Sequence, residues 1–380
     1  MTQDILLISL SLLSWGFGES AFLSFLPLYL QQLGAKPVEI GGILGTFSLA
    51  AALVHLPAGY LSDKIGRKPI IVAGWTIGLI GVVLMATVRS LPLFIVSIFI
   101  YGSTSFVMPP LNSYLSHASS KLSVARVLTL VSAAYNLGAM FGPLIGGYIG
   151  DHYGLKKIFV FSTAIIIISN LLIHFIHPQP IHHTSKPVKA FRSVLSRNYL
   201  LFTFLLFFII FATYLPQPLT PNFLKNQLHY SLSTIGLLFF VNGTGIVIFN
   251  LIIGSLPAYK GLIIGQGFVL LFSLLLCKAT NLSLIIMALF ILGGFRAART
   301  MGTAHLRCYI EPANLGIAFG FSEMVIAISL FLSSAFAGYL YNHQPTAMYW
   351  VGSGLIIVSI IFSFIFKSLE KSDKPNVDPE

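Results

Sequence analysis

Charged side chains are scarce in this sequence of 380 residues: they make up 9% of it, and Asp and Glu together number 11. Hydrophobic residues account for 56%. A soluble chain of this size cannot keep so large an apolar fraction away from water, because its surface grows too quickly with its size. The shortage of charge therefore excludes a water-soluble enzyme or binding domain. Most of the 22 Lys and Arg lie between apolar runs, which argues against a nucleic-acid surface.

Cysteine and the motifs of cofactor chemistry are almost missing. Cys277 and Cys308 fall near opposite membrane faces in the segment map given below, so we expect no disulfide. No group of His, Cys, Asp and Glu has metal-ligand spacing, and no Gly-x-x-x-x-Gly-Lys-Ser/Thr phosphate loop is present. We therefore expect no metal, no cofactor and no ATP-driven step. Residues 1–4 lack the basic cluster of a signal peptide, so the first apolar segment is expected to be retained.

Long apolar runs are what the sequence has in abundance. A bilayer core about 30 Å thick requires roughly 20 apolar residues per helix, and only a helix pairs the backbone groups that lipid cannot. The sequence therefore predicts an all-α membrane protein with twelve transmembrane helices. In order, spans 1 to 12 are residues 5–33, 38–62, 69–88, 91–117, 126–150, 157–177, 198–224, 232–256, 261–277, 283–306, 314–341 and 346–367.

One connection is much longer than the others and divides the chain into two sets of six spans. We predict six-helix bundles at 1–178 and 198–367, a cytoplasmic linker at 179–197 and a cytoplasmic tail at 368–380. Lys and Arg concentrate in the connections on one side of the membrane, which is the pattern of cytoplasmic loops. Both termini are therefore predicted to be cytoplasmic, in a multi-pass protein of the cell (inner) membrane. The bilayer is its expected partner, and nothing indicates more than a monomer.

The two halves match at a constant offset. Gln32-Leu33 corresponds to Gln227-Leu228, and prolines occur in the outer parts of span 1, at Pro27, and span 7, at Pro216, Pro218 and Pro221. Parallel repeats with a solute site between them are a known transporter plan, and interrupted helices at matching positions point to a site or gate. Ordinary packing kinks are the alternative reading of each proline.

The connection after span 2 has the most specific motif. A glycine is followed by an acid and then by glycine and two bases, at Gly59, Asp63, Gly66, Arg67 and Lys68. This resembles the loop between spans 2 and 3 of the major facilitator superfamily. The resemblance implies two pseudo-symmetric six-helix bundles and a transporter instead of an enzyme. It also implies a gating loop, whose acid contacts the start of span 11, near Asn314, when the cytoplasmic side is closed. A purely topogenic basic loop is the alternative.

Span 5 has a second pattern. Small residues and one proline recur along it at Gly138, Gly142, Pro143, Gly146 and Gly147. This resembles the glycine-proline motif of the superfamily's twelve-span drug:proton antiporters, and it implies a tight helix contact that closes the transporter against leak. A generic small-residue packing face is the alternative.

Span 4 departs from that branch of the family. Its drug antiporters usually have an arginine four residues before a glycine, but Ile98 takes that place before Gly102. The proton-relay role of that arginine cannot be carried over to this chain.

Glu19 is the one acidic residue within the membrane part of the first half, and Gly16 and Gly18 precede it. A charge at mid-bilayer costs about 2.5–3.5 kcal/mol on insertion scales, so a retained carboxyl group is a functional candidate. We predict that Glu19 couples transport to protons or contacts a cation. A permanent structural hydrogen bond is the alternative.

Spans 10 and 11 also carry charges. Arg296 and Arg299 share one helix face, and Glu323 is expected at a similar depth, so one arginine should pair with it. The other could bind an anionic solute, and a closed structural network is the alternative. Neutral candidates for the solute cavity are Asn136, Gln217 and Asn242, each of which could instead join two helices.

These observations favour proton-coupled efflux of amphipathic or drug-like compounds by alternating access. The span 5 motif favours efflux. Proton-coupled uptake of a metabolite is the first alternative, supported by the missing span 4 arginine and by the two arginines of span 10. A membrane sensor that kept the fold without transport is the second.

Overall fold

The computed structural model describes residues 2–53, 65–118, 123–179, 196–278, 281–310 and 315–372. Within these ranges the regular elements are helical, and eleven helical segments are long and apolar enough to cross a bilayer. Span 2 contributes a shorter apolar helix that reaches the edge of a described range. This architecture agrees with the predicted all-α membrane fold of twelve spans.

The spans of the first half are, in order, Gln3–Leu23 with Leu26–Gln32, Pro37–Leu53, Arg67–Thr87, Leu91–Ser103 with the 3₁₀ turn Thr104–Val107 and Met108–Ala118, Val124–Tyr153, and Leu155–His174. The spans of the second half are Arg197–Tyr214 with Thr220–Asn226, Leu232–Gly254, Ala258–Lys278, Leu282–Leu292 with Gly294–Leu306 and the 3₁₀ turn Arg307–Tyr309, Leu315–His343, and Ala347–Ser372.

Local sequence signals begin several of these helices. The side chains of Ser123, Ser196 and Ser231 each accept a hydrogen bond from the backbone N–H three residues later, which is the geometry of a helix N-cap. Gly66 has a φ of 92° immediately before span 3, and Gly154 has a φ of 87° between spans 5 and 6. A positive φ of this kind favours glycine, so these two residues permit the sharp connections.

The repeat appears in the shape of spans 1 and 7. Both are broken into a long helix and a short one of seven residues, and the short helices Leu26–Gln32 and Thr220–Asn226 lie at corresponding positions. Pro27 and Pro221 occupy the first turn of these short helices, where the missing N–H costs nothing. The interruption predicted from the prolines is therefore present in both halves.

The last span is longer than predicted. Its helix continues to Ser372, past the predicted end at residue 367, so the first residues of the predicted tail are helical. Lys, Leu and Glu in this stretch are strong helix formers, which allows the helix to continue beyond its apolar part.

Two pairs of helices make the main contacts between the halves. Span 5 packs against span 1 in its own half and against span 8 in the other, and span 2 packs against span 11. We call the membrane face where span 1 begins, at Gln3, the N-terminal face, and the other the opposite face. A Cβ added at Gly41 would meet the Ser334 carbonyl oxygen, and one at Gly338 would meet that of Pro37. Spans 2 and 11 are therefore in close contact toward the opposite face.

Candidate functional site

Glu19 lies at mid-depth in span 1, next to glycines that bring neighbouring helices close. A Cβ at Gly16 would collide with Tyr135 of span 5, and one at Gly18 would meet Ile166 of span 6. These contacts fix span 1 between the two helices. The Tyr135 hydroxyl donates a hydrogen bond of 2.7 Å to Oε2 of Glu19, so the carboxyl group has a defined position.

Three aromatic side chains pack together in the cavity beside this carboxyl group. Trp15 stacks on Tyr101 with ring centroids 5.8 Å apart, and its ring lies 5.3 Å from that of Trp75. Trp75 is fixed in turn, because its indole N–H lies 2.9 Å from Ser11 Oγ and 3.0 Å from Ser169 Oγ. The aromatic group therefore forms a firmly held apolar wall.

A cavity with a volume of about 630 Å³ extends from Glu19 toward the N-terminal face. Its lining comes from spans 1 to 5 of the first half and is mostly apolar. Glu19 is the one charged residue among the described residues of that lining. The other lining residues are Leu12, Trp15, Phe47, Gly74, Trp75, Tyr101, Gly102, Thr104, Ser105, Val107, Met108, Leu111, Asn112, Leu115, Leu128, Val131, Ser132 and Tyr135. An apolar ring system could occupy this space with a polar group at Glu19.

The second cavity lies between the halves and has a volume of about 200 Å³. Spans 1 and 5 line it from the first half, and spans 8 and 10 line it from the second. Its lining is far more polar, and it brings together Glu19, Asn136, Asn242 and Arg296. Glu19 lines both cavities, so it marks the point where the apolar and polar spaces meet.

The arginines of span 10 have different surroundings. Arg299 Nη2 lies 2.8 Å from Glu323 Oε2, which is the ion pair predicted between spans 10 and 11. Neither of these two residues lines the two cavities just described. Arg296 lines the second cavity, and within the described ranges its guanidinium makes no hydrogen bond or ion pair.

The neutral candidates also differ from one another. Asn242 Nδ2 donates to the Leu289 carbonyl at 2.9 Å, which joins spans 8 and 10, and Asn136 Nδ2 donates within its own helix to Ser132 O at 2.8 Å. Both line the second cavity. Gln217 lines neither cavity, and its Nε2 donates to Thr213 O beside the break in span 7.

The gating loop is described in part. Gly59, Asp63 and Asn314 lie outside the described residues, as does most of the predicted linker. Arg67, at the start of span 3, donates from Nη1 to Gln179 Oε1 at 3.0 Å, so this loop contacts the segment leading into the linker. Lys68 occupies the same first turn of the span 3 helix.

The span 5 motif lies at two helix contacts. A Cβ at Gly138, Gly142 or Gly146 would meet backbone atoms of span 1, and one at Gly147 would meet Leu232 of span 8. The carbonyl of Pro143 lies against Gly236 of span 8, and the helix continues through this proline. The motif therefore packs span 5 against both halves at once.

Among the residues that the structure describes, hydrogen bonds between the halves concentrate at the opposite face. Asp151 Oδ1 accepts from the Leu232 N–H at 2.8 Å, and its Oδ2 accepts from the Ser233 N–H at 2.7 Å. Asn222 Nδ2 donates to Gln31 Oε1 at 2.7 Å, between the short helices of spans 7 and 1. In this structure the opposite face is closed and the larger cavity extends toward the N-terminal face.

Several of these residues were not found from the sequence. Trp15 could have been, since it lies four residues before Glu19 and therefore on the same helix face. Tyr101 and Trp75 come from other spans, and no spacing connects them to span 1. Asp151 follows the span 5 motif closely, but its partner lies 81 residues further along the chain.

Twelve apolar spans around a mid-membrane cavity define a multi-pass membrane transporter. The model of the Major Facilitator Superfamily matches residues 8–218 and 202–380, and the chain therefore belongs to this superfamily. Its members are transporters of small solutes in a lipid bilayer and are not enzymes.

Named relatives and a solved structure agree with this family. An uncharacterized MFS-type transporter of Methanocaldococcus jannaschii is 30% identical over 173 residues, a match that spans 45% of this chain and 45% of that protein. The multidrug resistance protein MdtG of Proteus mirabilis is 24% identical over 398 residues, covering 96% of this chain and 95% of that protein. A mutant of the nucleoside transporter NupG superposes with a TM-score of 0.80 at 14% identity, covering 96% of this chain and 100% of that one, which shows the fold alone.

Proposed function

We propose that this chain exports amphipathic compounds across the cell membrane in exchange for protons, by alternating access of one central site. The N-terminal face is then the cytoplasmic face, with both termini on that side, and the protein acts as a monomer. Residues 1–178 and 198–367 are the two bundles that rock against each other.

The position of Glu19 is the observation that carries this proposal. It is a carboxyl group at mid-membrane, held by Tyr135 and placed where an apolar cavity of about 630 Å³ meets a polar one. A group in this position can hold either a proton or the polar end of a solute, so that one displaces the other. Exchange of this kind couples solute export to proton entry.

Two further observations support the direction. Similarity to a multidrug resistance protein extends over 96% of the chain. The glycines of the span 5 motif pack tightly against span 1 and span 8, as expected of a helix contact that prevents leak in an antiporter.

Transport into inverted membrane vesicles tests the proposal. With an acidic interior, vesicles containing the protein should accumulate radiolabelled amphipathic aromatic compounds, and Glu19→Gln should abolish accumulation driven by the pH gradient. Glu39→Gln is the matched control, since this carboxylate lies in the first turn of span 2 and away from both cavities. Accumulation in right-side-out vesicles instead would establish metabolite uptake. No flux in either orientation would contradict the proposed export and favour a sensor.

A further inference from the structure

Two opposite charges from different halves face the same small cavity. Glu19 comes from span 1 and Arg296 from span 10, and both line the cavity of about 200 Å³ between the halves. Apart from Tyr135, whose hydroxyl donates to Glu19, no other ionisable side chain is part of the described lining. The charges that a solute meets here are therefore one carboxyl group and one guanidinium.

The partners of these groups leave both available to a ligand. Glu19 Oε2 accepts one hydrogen bond, from Tyr135. Arg296 has no hydrogen bond or ion pair within the described ranges, whereas Arg299, one turn further on, is neutralised by Glu323. The structure thus keeps one arginine occupied and leaves the other facing the cavity.

Charge balance then selects among solutes. A simple cation bound at Glu19 would leave the positive charge of Arg296 uncompensated at mid-membrane, and a simple anion bound at Arg296 would leave Glu19 uncompensated. Uncompensated charge is costly where little water is present. A solute with one group of each sign compensates both.

We propose that the transported solute is an amphipathic zwitterion. Its cationic group binds Glu19, its anionic group binds Arg296, and its apolar body occupies the larger cavity beside Trp15 and Tyr101. Asn136 and Asn242 flank the polar end, and each donates its amide N–H within the protein, so their carbonyl oxygens remain for donors on the solute. The inference rests on the proposed function only in taking this site as the one that serves transport.

The pairing also makes the exchange with protons sharper. When a proton binds Glu19, the carboxylate no longer attracts the ammonium group, and Arg296 repels it. The proton and the cationic end of the solute therefore compete for the same oxygens, with Arg296 opposing their simultaneous binding.

Binding of three matched probes tests this inference without any gradient. The zwitterion is a biphenyl with a dimethylaminomethyl group at one end and a carboxylate at the other. Its methyl ester is the cation. The anion keeps the carboxylate and has an isopropyl group in place of the dimethylamino group. Quenching of Trp15 and Trp75 in nanodiscs reports binding, in a Trp350→Phe background that removes the one other tryptophan. We expect the zwitterion to bind about tenfold more tightly than either relative.

Variants separate the proposal from simple packing. Arg296→Gln should remove the preference for the zwitterion over the ester, and Arg296→Lys should retain it. Arg89→Gln, in an exposed connection after span 3, should change nothing. An ester that binds as tightly as the zwitterion, an unchanged preference in Arg296→Gln, or no binding of any probe would overturn the inference. If the pH gradient drives flux but the ester binds more tightly than the zwitterion, this inference is wrong and the proposed function stands. If the zwitterion binds more tightly but the gradient drives no flux, only the proposed function is contradicted.

Discussion

The carboxylate of Asp151, at the end of span 5, accepts a hydrogen bond of 2.8 Å from the backbone N–H of Leu232, the first helical residue of span 8. Its second oxygen accepts from the next N–H, of Ser233. A carboxylate is favoured at a helix N-terminus because the exposed N–H groups there carry partial positive charge. This contact joins the two halves at the opposite face, where the structure is closed.

Weakening this contact should open the opposite face more often. Asp151→Asn keeps one acceptor oxygen but removes the charge, at an expected cost of about 1 kcal/mol to the closed form. The reporter is Phe239→Cys in a background without Cys277 and Cys308, labelled with an impermeant maleimide from the opposite face. We expect this cysteine to react several-fold faster when Asp151→Asn is present than when Asp151 is retained. Asp4→Asn, at the N-terminal face, is the control and should leave the labelling rate unchanged. Equal rates for both variants would show that Asp151 does not hold this face closed.

A methyl group at Gly147 should disturb the same helix contact by crowding. A Cβ there would meet the Leu232 carbonyl, and such overpacking costs about 1–3 kcal/mol. We expect Gly147→Ala to lower the melting temperature in detergent. Gly42→Ala is the matched control, since a Cβ at Gly42 has nothing within 4 Å. If the two variants have the same melting temperature, the close approach of spans 5 and 8 does not contribute to stability.

A bulky side chain in the larger cavity should exclude the solute. Ser132 lines that cavity and is exposed within it, so Ser132→Trp should lower solute affinity more than about tenfold. Leu130→Trp places the same bulk on an exposed apolar position of span 5 outside both cavities. Binding measured in nanodiscs should change in the first variant and not in the second. Loss of binding in both would mean that the indole ring disturbs span 5 as a whole.

The ion pair between Arg299 and Glu323 is expected to be structural. Either single charge reversal should lower the melting temperature, by the equivalent of about 1 kcal/mol for a partly exposed pair. The double reversal Arg299→Glu with Glu323→Arg should recover most of the stability and the transport. Restored stability without restored transport would show that the orientation of this pair also serves the solute path.

The sequence predicted the spans because each is a continuous apolar run, and it predicted the interruptions in spans 1 and 7 because proline removes a backbone donor and bends the helix. It also predicted that Glu323 pairs with one of the two span 10 arginines, since depth along a helix follows from residue count, but it did not predict that this arginine is Arg299. All three results follow from the position of residues along individual helices.

The sequence did not predict which residues meet at the candidate site, because those residues come from different helices. Trp75 reaches Ser11 and Ser169 across 64 and 94 residues of chain, and Gln31 meets Asn222 across 191. Which polar side chains face a cavity depends on helix rotation within the bundle. Gln217 was therefore proposed for the cavity although it binds Thr213 in its own span.

Alternation between the two faces is tested most directly by distances between spin labels on the two halves. Labels at His152 and His229 report the opposite face, and labels at Val124 and Ser255 report the N-terminal face. On addition of solute and on acidification, the first distance should increase as the second decreases, and Glu19→Gln should remove the response to acid. Distances that stay constant, or that increase together, would contradict a single central site whose access alternates.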